Sequence, residues 1–98
     1  MLGYGYHPEA ENEYHLAIAY YSRIRAELGI CFVTEIEKAV ERARLFPEVP
    51  RTIGGGLRRI LVQRFSYMLI YEVLEGSIFV WAVSHTSREP GYWKKRLR

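Results

Sequence analysis

Apolar residues in the first half of the chain recur at helical intervals. Ala10, Tyr14, Ala17, Ile18, Tyr21 and Leu28, with Ile24 filling the stripe, fall three or four apart, which puts them on one face of a helix. Pro8 suits the first helical position, and Glu9, Glu11 and Glu13 bring negative charge to the positive end of the helix dipole. Gly29 is the expected stop, because glycine takes the left-handed terminal conformation at little cost. A second stripe through Phe32, Val33, Ile36, Ala39, Val40, Ala43 and Phe46 ends at Pro47, which cannot continue a helix. The short link around Gly29 predicts an antiparallel helical hairpin.

In the second half the period changes from helix to strand. Strands are predicted over 57–65, 67–74 and 77–84, joined by connections short enough for antiparallel hairpins. The stretch through Tyr6 adds a possible short edge strand, weakened by Gly3 and Gly5. Gly54, Gly55 and Gly56 lack the Lys-Ser/Thr ending of a phosphate-cradling loop, so they read as a flexible lead-in to the sheet. The fold class is therefore α+β: an N-terminal helical hairpin packed on a 3–4-stranded antiparallel sheet, in one domain over residues 1–98.

Alternation assigns the strand side chains to two faces. Tyr67, Leu69, Tyr71 and Val73 share one face of the middle strand, with Met68, Ile70 and Leu74 on the other. In the last strand Ile78, Val80 and Ala82 oppose Phe79, Trp81 and Val83. Both faces are apolar, which calls for cover on both, yet one helical hairpin covers only one. The second face is left to a partner protein, or to the C-terminal segment with Tyr92 and Trp93 folding back.

Charge sharpens this picture. Residues 1–50 carry five Lys/Arg against eight Glu, a net of −3, and residues 51–98 carry nine against three, a net of +6, which together make the chain's +3. The basic half points to a working surface for an anionic or acidic partner, beyond a solvated tail of Lys94, Lys95, Arg96 and Arg98. The single Cys31 has no partner for an internal disulfide, and neither a membrane span nor a secretion signal is visible, so a cytoplasmic location is expected. The scattered His7, His15 and His85 offer no metal-ligand spacing. No metal or cofactor is expected.

Candidate chemistry gathers in the basic half. Arg58, Arg59 and Arg64 lie in or beside the first of these strands, with Arg58 and Arg64 on one face and Arg59 on the other. Their guanidinium forks suit phosphate or carboxylate, and with Tyr67 and Trp93 they are the candidate target- or partner-binding residues. His85 ends the last strand and is followed by hydroxyl residues and Arg88. A histidine there can act as general base on a ribose hydroxyl, with Arg88 stabilising the phosphate and Tyr92 stacking on a base or donating a proton. The competing reading is that His85 caps its own loop.

Taken in order, several segments resemble the RelE/ParE superfamily of toxins from type II toxin–antitoxin modules, also called plasmid stabilisation proteins. They are His7-Pro8-Glu9-Ala10-Glu11, Ala19-Tyr20-Tyr21, Leu45-Phe46-Pro47, Gly56-Leu57-Arg58-Arg59, Arg64-Phe65-Ser66-Tyr67, Ile70-Tyr71, and Val83-Ser84-His85 through Arg88-Glu89-Pro90-Gly91-Tyr92-Trp93. The resemblance implies a growth-inhibiting toxin held inactive, in a toxin–antitoxin hetero-oligomer, by a cognate antitoxin whose extended or helical segment wraps it. ParE-like members poison DNA gyrase, and RelE-like members are endonucleases that cleave mRNA on the ribosome. Tyr67 and Met68 stand where nuclease members often carry a basic side chain, whereas His85 matches a catalytic histidine position of some. The Pro90-Gly91-Tyr92-Trp93 ending looks more ParE-like, and this is the favoured branch. A module that has lost toxicity and survives as a DNA-bound co-repressor with its antitoxin is the third possibility.

Overall fold

The computed structural model describes residues 1–97; Arg98, counted above with the basic tail, lies outside them. Strand β1 (Gly3–Tyr6) leads into helix α1 (Pro8–Ile24) and helix α2 (Ala26–Leu45). Strands β2 (Thr52–Gly54), β3 (Leu57–Leu61), β4 (Tyr67–Leu74) and β5 (Ser77–His85) follow, and the 3-10 turn η1 (Tyr92–Arg96) comes last. No helix among the described residues is long and apolar enough to cross a membrane.

The helical hairpin forms as expected, but its break lies at Arg25, not at Gly29. Arg25 is extended, with φ −160° and ψ 141°, and Gly29 lies buried within α2. Glycine is needed there for a different reason. A Cβ at Gly29 would run into Oγ of Ser22 and lie 3.1 and 3.2 Å from Cβ and Cα of that residue. The missing side chain lets α1 and α2 approach closely beside the break. Gly29→Ala is therefore expected to destabilise the fold by about 1–3 kcal/mol through overpacking, despite alanine's better helix propensity. Urea unfolding tests this, and a variant as stable as the parent would remove the close-approach role.

The sheet has five strands in the order β1-β5-β4-β3-β2, where three or four were expected. The first segment is a true strand. It pairs in parallel with β5, from Gly3 opposite Ser77 to Tyr6 opposite Val80, which makes the sheet mixed. The glycine run is the turn of a β2–β3 hairpin, and Gly54, Gly55 and Gly56 all have positive φ. Strand β3 stops at Leu61 instead of running on to Phe65, because the chain turns back: Arg64 has φ 71° and the Val62 N–H donates to the Tyr67 carbonyl at 2.9 Å.

One bulge revises the face assignment of β5. Ile70 pairs with Ala82 but Tyr71 pairs with Val80, so Trp81 is an extra residue and the alternation slips by one. Val83 joins Ile78 and Val80 on the helix-covered face, packed with Phe32, Ile36, Leu69 and Tyr71. Ala82 joins Trp81 on the opposite face, with Leu57, Ile70 and Trp93. That second face is covered by the chain's own tail. Trp93 is only 6% exposed, and Tyr92 and Leu97 pack beside it. Gly91, with φ 76°, turns the chain into η1 so that Trp93 meets the sheet. A partner protein is not needed to close this face.

Candidate functional site

The end of β5 and the start of β4 meet α1 at a cleft of about 270 Å³, lined by Glu13, Tyr20, Tyr67, His85 and Arg88 among others. Tyr67 and His85 are paired across β4 and β5, and their rings stand edge to face at 5.1 Å. The Nδ1 of His85 lies 3.0 Å from the Ser87 backbone N and 2.7 Å from Ser87 Oγ. The Arg88 N–H donates to the His85 carbonyl at 3.0 Å. His85 thus caps the turn that follows it, leaving Nε2 as the nitrogen able to meet a ligand.

Arg88 places its guanidinium over the Tyr92 ring at 3.7 Å, within cation–π range. The Tyr92 hydroxyl donates to Glu13 Oε2 at 2.6 Å. Arg96 grips the same carboxylate with both terminal nitrogens, at 3.1 and 2.7 Å, and also donates to the Trp81 carbonyl at 3.0 Å. The Val83 N–H donates to Glu13 Oε1 at 3.0 Å. The ladder explains why this cluster sits here. Strand β1 ends opposite Val80, and beyond it Glu13 and Arg96 satisfy the backbone groups of β5 that β1 does not reach.

The electrostatics follow from these contacts. Burial pushes the Glu13 carboxyl up, but the Arg96 and Tyr92 hydrogen bonds and the Val83 N–H outweigh it, so its pKa lies below the ordinary 4.5. Burial, then the hydrogen bond to Glu13, pushes the Tyr92 phenol up to about 12. Burial likewise raises Tyr67 above its ordinary value. A phenol held this high and already donating to a carboxylate is a poor proton donor near neutral pH.

Of the sequence candidates, Tyr67, His85 and Arg88 line this cleft, and Tyr92 adjoins it through Arg88 and Glu13. The others lie elsewhere. Arg58 donates to the carbonyls of Glu48 and Pro50, both at 2.8 Å, pinning the segment between α2 and β2. Arg64, expected to share a strand face with Arg58, sits instead in the β3–β4 turn, 3.7 Å from Glu35. Arg59 faces the clefts beside β2 together with Arg51. Trp93, part of the tail, is buried against the sheet. Two central residues have roles that the sequence alone does not reveal: Glu13 reads there as a dipole charge and Arg96 as part of a solvated tail. The one local signal was the position of Glu13 between Ala10 and Ala17, on the buried stripe of α1.

No protein-family model matches the chain, and no curated protein matches it. Among solved structures, the chain is similar to one described as "Chromosomal ParDE TA system from P. aeruginosa", with a TM-score of 0.74 over 87% of this chain and 96% of that one. Sequence identity between the two is 15%, so the likeness bears on the fold. The fold expected from the sequence, RelE/ParE-like α+β, is the one observed.

Proposed function

We infer that this chain is the toxin component of a toxin–antitoxin pair, restrained by a protein antitoxin in a hetero-oligomer, and that it acts in the ParE manner by binding DNA gyrase. The fold likeness to a ParDE system over 87% of the chain is the observation that supports the class. The branch is favoured by how the cleft groups are used. His85 Nδ1 is tied to Ser87, Arg88 lies on Tyr92, and Tyr92 is bonded to Glu13. These side chains build a folded edge, which suits a binding protein better than a nuclease.

A ribosome-dependent mRNA endonuclease is the second reading, because Tyr67, His85 and Arg88 do share one cleft. Regulated expression separates the two. Loss of DNA supercoiling with intact transcripts is the expected result; cleaved transcripts with normal supercoiling would favour the nuclease. His85→Ala should leave growth arrest within about threefold of the parent, whereas removal of a general base costs about 10²–10⁴ in rate. Arrest that vanishes in a folded His85→Ala protein would overturn the gyrase reading.

A further inference from the structure

Strand β1 and the two helices border a cavity of about 470 Å³ that shares no lining residue with the His85 cleft. Tyr4 and Tyr6 of β1, Tyr14 of α1, and Glu37, Val40 and Glu41 of α2 are among the residues that line it. Three phenol rings therefore meet there. Tyr4 and Tyr6 stand nearly perpendicular, at 81° with 6.2 Å between centroids. Tyr14 stacks on Tyr6 at 5.9 Å and 19°. The faces of such rings attract cations, and the molecule supplies an example itself: the Arg44 guanidinium lies over Tyr4 at 4.8 Å.

Charge around the cavity favours a positive guest. Glu37 and Glu41 are matched in number by Lys38 and Arg44, but the two cations are engaged. Arg44 donates to the Leu2 carbonyl at 2.6 Å, and Lys38 is drawn toward Glu35 at 3.9 Å. Glu37 and Glu41, one helical turn apart, form no ion pair with another described residue. Their field reaches the phenols. Burial first, then Glu37, pushes Tyr14 up to about 12. Burial, then Tyr14, Tyr4 and Glu37, raises Tyr6 as well. A bare metal ion would find too few ligands, since no group of three His, Cys, Asp or Glu stands together among the described residues.

We propose that this cavity binds a small organic cation of the alkylammonium class, its head against Tyr4, Tyr6 and Tyr14, its charge balanced by Glu37 and Glu41, and its apolar substituents against Val40. The site stands apart from the toxin reading and does not depend on it. Aromatic faces select a weakly hydrated, alkyl-bearing head over a compact, strongly hydrated one, which would give up more water than the rings replace.

Titrating choline into the whole chain, followed by amide chemical shifts, tests it against 3,3-dimethyl-1-butanol, the uncharged carbon isostere. Choline is expected to saturate, with shifts centred on Tyr4, Tyr6, Tyr14, Glu37 and Glu41. It should bind at least about tenfold more tightly than the isostere. Glu37→Gln/Glu41→Gln, at two exposed positions, should weaken choline about threefold or more. Tyr4→Leu, also at an exposed position, should weaken it about threefold, and Tyr4→Phe, which keeps the ring, should stay within about twofold of the parent. Equal binding of the isostere would mean that apolar filling alone is at work, and would overturn the proposal. So would shifts centred elsewhere, indifference to both the Gln pair and Tyr4→Leu, or no saturation up to about 50 mM. Nα-acetyl-lysine amide binding more tightly than choline would overturn the free-molecule assignment and give the site to a side chain of another protein.

Discussion

Replacing Trp93 with alanine is expected to cost about 3–5 kcal/mol of folding stability, the usual loss for a buried large aromatic. For a domain of this size that lowers the melting temperature by about 12 °C or more. The reason is positional. Trp93 is the anchor through which η1 covers Leu57, Ile70, Trp81 and Ala82. The helix-covered cluster around Phe32, Ile36, Leu69 and Tyr71 is separate, so helical circular dichroism should persist below the new midpoint. The chain has two tryptophans, so Trp81 becomes the sole tryptophan fluorophore of the variant. Its emission should shift red as water reaches the uncovered sheet, and Trp93→Phe should restore most of both effects. An alanine variant with an unchanged melting point and unshifted Trp81 emission would show that the tail does not hold this face.

Glu13→Ala should be comparably severe. The carboxylate and Arg96 are largely withdrawn from water, with side-chain exposures of 13% and 9%. Removing one partner of such a pair leaves the other buried and uncompensated, at a cost of about 3–5 kcal/mol. It also takes the acceptor from the Val83 N–H and the carboxylate partner from the Tyr92 hydroxyl. Glu13→Leu combined with Arg96→Met should be much milder, because no buried charge remains. The pH dependence has a definite sign. The folded pKa of Glu13 lies below its ordinary 4.5, so its stabilisation is fully present above that value and fades as pH falls through the lower folded one. The gap between the parent and Glu13→Gln, read from urea midpoints, should therefore be wide well above the ordinary 4.5 and narrow as pH falls below it. A gap constant across that range would mean that the carboxylate's charge contributes nothing.

The sequence made local features legible and left long-range ones hidden. Strand β4 and nearly all of β5 could be read because β-branched and aromatic residues run between Gly76 and the flanking polar turns. The hairpin break could not, since Ile24-Arg25-Ala26 contains neither glycine nor proline, while Gly29 carried the stop signal for another purpose. The slip at Trp81 was equally invisible, because a bulge depends on both strands of a pair. It transferred Ala82 and Val83 between faces. Of the candidate site, Tyr67, His85, Arg88 and Tyr92 were found from residue type and order. Glu13 and Arg96 were not, because their meaning arises only when the tail returns to α1. Arg58 was found, but its guanidinium serves two backbone carbonyls in the fold rather than an outside ligand.

The Glu13–Arg96 contact joins residues 83 apart in sequence, which has a consequence for timing. At about 5–20 residues per second, roughly 4–17 s separate the synthesis of Glu13 from that of Arg96. During that interval the helices and early strands can form, yet the sheet face awaiting Trp93 stays open and Glu13 lacks its cation. The fold is thus completed only when synthesis reaches the tail. A truncated or stalled product has its helices but not its closed edge, which marks it for chaperones and proteases as unfinished.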